Sequence, residues 1–424
     1  MKPLNILVFP CGSEIALEVH RSLKFSRHIK LFGANSVADH GKFVFENYTE
    51  GLPFVAASDF ISKCATLVKD LKIDAIYPAM DSVITKLKES EAELGCKVIS
   101  SPIETARVCL SKALTYERLN KVVPVPEIFS DIESVRSFPV FMKPTIGYGS
   151  RGARKIESVK QGQQHASDFP GCIIMELLPG EEYTVDCFTN TKGTLLFAGA
   201  RPRRRVTNGI SVNTISIDDN KEVFQALAEK INDTLSFNGA WFFQVKKDAS
   251  GNFKLLEVAS RLGGSSALYR NKGVNFALLS VFNSFGFDVA IIENKYTIEL
   301  DRALSNKYKI DFDYEEVYVD FDDCLIINEK VNESLVAFIY QCFNKGKKVK
   351  LITRHEQNIY ASLKKYKLSN LFDEIIHITK QDAKHKYITT SKAIFIDDSH
   401  QERKQVFENK NIPVFSPDMV ESLL

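Results

Sequence analysis

Apolar positions along the first third of the chain fall into two repeating patterns. Short apolar-rich runs at Leu4–Phe9, Ile29–Ala34, Asp74–Met80 and Lys97–Ser100 read as strands. Between them, Ile15–Leu23, Phe60–Leu71 and Val83–Leu94 read as helices. The second of these has apolar residues at 60, 61, 64, 65, 67, 68 and 71, the helical repeat. Strands alternating with helices over short joins predict a parallel sheet covered on both faces. Further on, Ser111 is placed to cap a helix that runs to Leu119. A short helix is expected over Asp131–Arg136 and a strand over Val140–Met142, closed by Lys143 and stopped by Pro144. Strands follow at Thr194–Ala200, Trp241–Lys247 and Phe253–Ala259, with helices at Lys221–Leu235 and Val274–Phe285. Asn294–Asp313 reads as a polar connector. A second alternating series then begins, with a strand from Glu316 that ends in Asp320 and Asp322, one over Lys348–Ile352, and one from Ala393 that ends in Asp397 and Asp398.

Composition narrows the class. The 424 residues exceed one ordinary core, and 44% hydrophobic with 25% charged residues is globular usage. A net charge of +2 gives no case for nucleic acid or an anionic membrane as main partner. The eight cysteines show no Cys-x-x-Cys pair and no zinc spacing, which suits reduced thiols. No leader-like segment precedes Pro10 and no run approaches the length of a membrane span, so a cytoplasmic protein is expected.

Candidate chemistry begins at residues 139–154, where a strand runs into a loop with Gly147, Gly149, Ser150 and Gly152. Glycines let bare N–H groups approach a ligand, and with Lys143 beside them they could form a phosphate cradle. The alternative is a hairpin turn that needs glycine. Two later stretches bear on the choice. Cys172–Asp186 carries Glu176 and, after a turn, Glu182; Phe243–Arg261 carries Gln244 and Glu257 on paired strands, with Arg261 beyond. In this order and spacing, the three stretches resemble the ATP-grasp superfamily, most closely its carbamoyl-phosphate-synthase-like carboxylate–amine ligases, over roughly residues 1–300.

The resemblance implies a Rossmann-like (pre-ATP-grasp) domain over 1–110 and an ATP-grasp domain over 111–300. It implies ATP and Mg²⁺ as cofactors and an acyl-phosphate route that forms ADP. Lys112, Lys143, Gly149 and Ser150 would meet the phosphates, Glu176 and Leu178 the adenine edge, and Glu182 the ribose. Gln244 and Glu257 would hold metal, and Arg261 would steady the transferred phosphate. Ala259 departs from the family, which places a metal ligand there. Lys112 could equally be a solvated helical lysine. Arg203 and Arg205, from the run Arg201–Arg205, and Arg270 are candidates for a substrate carboxylate; the alternative for the run is an exposed basic loop. Asp81, just past a strand's carboxyl end, lies where open α/β sheets bind ligands. Gly12 reads as a tight turn, because no G-x-G-x-x-G is present.

The C-terminal series carries its own set. Asp320 and Asp322 end one strand, Thr353 ends the next, Lys384 lies on a helical stretch, and Asp397 and Asp398 end a third strand. Their order resembles the HAD phosphohydrolase superfamily over 315–424, after a linker at 301–314. The resemblance implies a small Rossmannoid domain without a large cap. It implies Asp320 as nucleophile, Asp322 as acid and base, Thr353 and Lys384 on phosphate oxygens, and magnesium at Asp320, Asp322 and Asp397, with Asp398 nearby. Cys324 stands where the family prefers threonine.

Together these give an α/β chain with ligase and phosphatase parts. The expected partners are a carboxylate, an amine and a phosphorylated small molecule, and a homodimer is compatible. A ligase with a non-catalytic HAD-like domain, or a nucleotide sensor without turnover, are the alternatives.

Overall fold

The computed structural model describes residues 2–147, 149, 151–304, 308, 310–378 and 381–424. Ser150 therefore lies outside the described residues. The chain forms two compact units, residues 1–305 and 306–424.

The first unit opens with five parallel strands: β1 (Leu4–Phe9), β2 (Ile29–Asn35), β3 (Asn47–Glu50), β4 (Ala75–Pro78) and β5 (Lys97–Val98), in the order β3-β2-β1-β4-β5. The expected alternation is present, with β3 as a strand the sequence pattern did not mark. Ser13 caps the helix Glu14–Leu23 by accepting from Ala16 N. Gly12 is required there: a Cβ would lie 1.6 Å from Asp39 Oδ2. The Asp39 carboxylate thus occupies the space over Gly12, which fits a tight turn rather than a dinucleotide loop. The helix expected over Val83–Leu94 is two helices, Asp81–Glu89 and Glu91–Leu94, broken at Ser90.

Two antiparallel sheets follow. One contains β6 (Ile128–Phe129), β7 (Val140–Pro144), β8 (Arg154–Ile156) and β9 (Cys172–Glu176), ordered β6-β9-β7-β8. Lys143 lies within β7 rather than closing it. Pro144 is tolerated because β8 pairs only as far as Met142, leaving only the β9 edge at that position. Asp131–Arg136 is a turn rather than a helix. Asp131 Oδ1 accepts from Ser134 N, and Ser134 Oγ donates to Asp131 O, local bonds that compete with a helical turn.

The other sheet contains β10 (Glu182–Thr189), β11 (Leu195–Pro202), β14 (Gly239–Lys247) and β15 (Phe253–Ala259), ordered β11-β10-β14-β15. Between β11 and β14, β12 (Arg205–Thr207) and β13 (Ile210–Ile215) form a hairpin turned at Asn208 and Gly209, both at positive φ. β16 (Glu299–Asp301) pairs with β13, so the expected connector begins inside the fold.

One hydrophobic core joins Ile6, Val8, Ala75 and Tyr77 of the first sheet to Phe188, Ala240, Leu262, Leu268 and Phe276. The boundary expected at residue 110 is therefore crossed by shared packing, and the first 300 residues form one body.

The second unit is a parallel sheet of β17 (Glu316–Val319), β20 (Lys348–Thr353), β21 (Glu374–His377), β22 (Ala393–Ile396) and β23 (Val414–Phe415), ordered β21-β20-β17-β22-β23. A small hairpin, β18 (Ile326–Ile327) and β19 (Lys330–Val331), lies between β17 and β20 in the chain. The order reverses beside β17. Its carboxyl end therefore lies at a switch point, where α/β sheets bind ligands.

Candidate functional site

In the first unit the site is one face of the sheet β11-β10-β14-β15. Thr184 pairs with Arg201 on one side and Gln244 on the other, and Gln244 pairs with Glu257. Directly opposed residues share a face, so these four side chains form one polar row across four strands. The next row contains Asp186, Phe242 and Ala259. Ala259 stands there without a ligand atom and Asp186 is paired with Arg201, which leaves Gln244 and Glu257 as the expected ligand types on adjacent strands. Among the described residues, the Glu257 carboxylate accepts no hydrogen bond, which leaves it available to a cation.

A β-bulge interrupts the pairing at Leu256. Its carbonyl accepts from Tyr116 Oη at 2.7 Å and from Lys143 Nζ at 3.1 Å. Lys143 Nζ also lies 2.8 Å from Tyr116 Oη. Burial pushes Lys143 down to about 8, with Glu257 opposing that shift. Lys112 starts the helix that carries Tyr116, and its Nζ donates to Gly147 O of the glycine loop at 3.2 Å. Gly149 takes a positive φ, and a Cβ there would lie 3.7 Å from Asn208 O at the tip of the β12-β13 hairpin.

Toward the other end of the face, Glu182 meets Arg203 Nε at 2.8 Å and Lys246 Nζ at 3.8 Å. Glu176 pairs with Lys254 and accepts from Glu127 N. Leu178 is buried in the turn after β9. Arg261 lies over the Phe242 ring, 5.3 Å from its centroid, and grips both Asp81 oxygens through Nε at 3.0 and 2.9 Å.

Gln244 and Glu257 are thus opposed on the sheet, Lys143 and the helix of Lys112 meet the adjacent bulge, and Arg261 contacts Asp81 and the Phe242 ring of the next row. Two expected substrate arginines are placed otherwise. Arg205 pairs with Asp301 on the small β12-β13-β16 sheet, and Arg270 holds the buried Glu18 at 2.6 Å. The Arg205 pair lies at the surface, whereas the Arg270 guanidinium is tied to a buried carboxylate. Arg203 is engaged with Glu182 and Gly209 O. Tyr116 and Lys254 were not marked by the sequence reading. Tyr116 stands four residues after Lys112, a spacing that puts both on one side of a helix.

In the second unit, Asp320 follows β17 and Asp397 and Asp398 follow β22, its parallel neighbour. One ligand oxygen from each lies within 4.8 Å of the others. Lys384 Nζ bridges Asp320 at 2.7 Å and Asp397 at 2.6 Å. Three carboxylates against one ammonium leave an excess of negative charge, which a divalent cation would balance. Burial raises Asp320 to about 7; Lys384 opposes this and Asp397 adds to it. Asp397 is raised by burial, again with Lys384 opposing.

Asp322 is outside this grouping, and Asp398 stands in it instead. The Asp322 carboxylate is held by His355 Nδ1 at 2.9 and 3.0 Å, while His355 Nε2 lies 2.8 Å from Ser362 Oγ. His355 was not marked either; its only signal is its place two residues after Thr353. Thr353 is buried, and its Oγ1 accepts from His355 N. Cys324 is buried, with Sγ 3.7 Å from Ile396 O. It packs into the core under the loop.

Residues 168–302 match a family model described as ATP-grasp in the biosynthetic pathway with Ter operon. The fold is shared with solved structures of enzymes. The biotin carboxylase domain of 2-oxoglutarate carboxylase from Hydrogenobacter thermophilus, in complex with MgADP and bicarbonate, superposes with TM-score 0.58 at 15% identity, covering 68% of this chain and 71% of that one. The stretch 168–302 is thus similar to an ATP-grasp domain. N5-carboxyaminoimidazole synthetase from Staphylococcus aureus gives TM-score 0.57 at 13% identity over 69% and 81% of the two chains. L-amino acid ligase from Bacillus licheniformis gives 0.54 at 17% over 69% and 76%. No curated protein matches the sequence. No helix among the described residues is long and apolar enough to cross a membrane.

Proposed function

We propose that the first unit is an ATP-dependent carboxylate–amine ligase that forms ADP, and that the second is a magnesium-dependent phosphohydrolase. The observation that carries the ligase reading is the buried Lys143 ammonium at the bulge beside Glu257. Among the described residues no carboxylate lies at hydrogen-bond distance from that ammonium, which suits an anion that arrives with the substrate. Lys143, Lys112 and the glycine loop would bind the phosphates, and Glu182 the ribose.

Magnesium at Gln244 and Glu257 would offset phosphate charge. The substrate carboxylate attacks the γ-phosphorus of ATP and ADP leaves, with Arg261 beside the transferred group. An amine then attacks the acyl carbon and inorganic phosphate departs. The missing ligand at Ala259 favours one alternative, a nucleotide-binding sensor without turnover. Arg261 weighs against it, since a binder has little need of a guanidinium held at the reacting phosphate.

The expected result with MgATP and a panel of carboxylates and amines is substrate-dependent ADP release. Release of AMP and pyrophosphate would rule out the acyl-phosphate route.

In the second unit, an Asp320 oxygen attacks phosphorus as the ester bond breaks, and Asp322 protonates the leaving oxygen. Asp322 then takes a proton from water, which cleaves the aspartyl phosphate. The carboxylates Asp320, Asp397 and Asp398 would hold the metal. The full chain should hydrolyse an aryl phosphate with Mg²⁺, and Asp320→Asn should abolish this while leaving ADP release intact. Inactivity on a broad panel of sugar and nucleotide phosphates would favour a ligase with a non-catalytic second unit.

A further inference from the structure

We propose that Tyr116 is a positioning residue for nucleotide phosphates, acting only through the Lys143 ammonium that it and the Leu256 carbonyl seat. This rests on the nucleotide reading of the first unit.

The geometry is a closed triangle. Tyr116 Oη donates to Leu256 O at 2.7 Å, and Lys143 Nζ donates to Tyr116 Oη at 2.8 Å and to Leu256 O at 3.1 Å. Tyr116 is 3% exposed and Lys143 8%. The three corners come from separate elements: the helix Lys112–Leu119, β7 and the bulge of β15. Burial, with Glu257 adding, pushes the Tyr116 phenol well up, so it remains a neutral hydroxyl. A neutral hydroxyl both donates to the carbonyl and accepts from the ammonium.

An ammonium has three donors, and the triangle uses two. Among the described residues the third meets no acceptor and is left for an incoming oxygen, in a direction fixed by the other two. A lysine on a flexible four-carbon stem otherwise carries rotamer freedom that binding must remove. The bulge is needed as well. In a regular ladder the Leu256 carbonyl would face a strand neighbour rather than the helix. The same helix sends Lys112 to Gly147 O. Lysine, tyrosine and glycine loop are therefore placed by one rigid element.

Tyr116→Phe keeps the ring and removes only Oη. The test is calorimetric affinity for ATP, ADP and adenosine in the full-length parent, Tyr116→Phe, Lys143→Met and the double variant. ATP and ADP affinity should fall about tenfold in Tyr116→Phe, the scale of one charge-assisted hydrogen bond, with adenosine unchanged. In the Lys143→Met background the tyrosine change should add nothing. Equal losses for adenosine and ADP would make Tyr116 merely structural and overturn the proposal. So would unchanged ADP affinity, or losses that add in the double variant. If Tyr116→Phe lowers the melting point, adenosine binding on the same preparation still separates the outcomes. A parent that binds adenosine, ADP and ATP equally or not at all would overturn the nucleotide reading itself, and the proposal with it.

Discussion

Arg261 Nε sits 3.0 and 2.9 Å from the two carboxylate oxygens of Asp81, a residue 180 positions earlier in the chain. Asp81 begins a helix directly after β4 of the first sheet, and Arg261 lies two residues past β15. The pair therefore fixes the guanidinium across the shared core. Asp81→Asn should leave Arg261 with a neutral partner and release its orientation. Breaking a mostly buried pair costs on the order of 1–3 kcal/mol, discounted here because both groups retain some solvent contact. The expected outcome is a melting point lowered by several degrees and ADP release reduced further than nucleotide affinity. Unchanged turnover would remove Asp81 from the site.

Lys143 should make phosphate binding depend on pH. Its folded value of about 8 lies below the ordinary lysine value, so the ammonium is favoured only below about 8 in the free protein. A bound phosphate favours the charged form. Affinity for ADP should therefore be flat below that pH and fall about tenfold per unit above it, until near the ordinary lysine range. The sign for stability is the reverse. The charged form burdens the fold below about 8, and that burden is relieved as pH rises. Lys143→Met should thus raise the melting point at neutral pH while weakening ADP binding. A pH-independent ADP affinity in calorimetry would refute this.

Asp320 predicts a link between metal and pH. Its folded value of about 7 lies above the unfolded carboxylate value. Stability from this group is present at low pH and is lost as pH rises through about 7. A divalent cation favours the ionised form, so Mg²⁺ should raise the melting transition more at pH 8 than at pH 6. Asp320→Asn should remove most of that difference. An equal Mg²⁺ shift in parent and variant would place the cation elsewhere.

His355 holds the half-exposed Asp322 carboxylate through both oxygens. His355→Ala should lower aryl-phosphate turnover by about tenfold or more, since misplacing a reacting group by 1 Å can cost that much. Ser362→Ala, which removes only the hydroxyl beside Nε2, should cost less. Steady-state rates at saturating substrate decide it; full activity in His355→Ala would leave Asp322 without a need for the histidine.

Local pattern determined much of this protein. The alternating runs to residue 100 marked most strands of the first sheet, because each apolar strand is buried on both faces. The Ser111 cap was legible because a serine hydroxyl satisfies a free helix N–H three residues along the chain, at Leu114. Lys143, Gln244 and Glu257 stood out through order and spacing along the chain. The same was true of Asp320, Thr353, Lys384 and Asp397 at the ends of predicted elements.

What tertiary structure decided is which charges are already spent. Arg205 and Arg270 are substrate-carboxylate candidates in the sequence, yet Arg205 pairs at the surface with Asp301 and Arg270 with the buried Glu18, both far away in the chain. The Asp131–Arg136 segment lost its helix to local side-chain bonds. Tyr116 and His355 could not be singled out, because a buried tyrosine or histidine is ordinary until its partner is known. The bulge at Leu256 has no residue signature of its own. It exists because β14 and β15 pair out of step there, and that mismatch turns one carbonyl toward Lys143. Periodicity fixes which face a residue occupies, while only the packed fold fixes what stands opposite it.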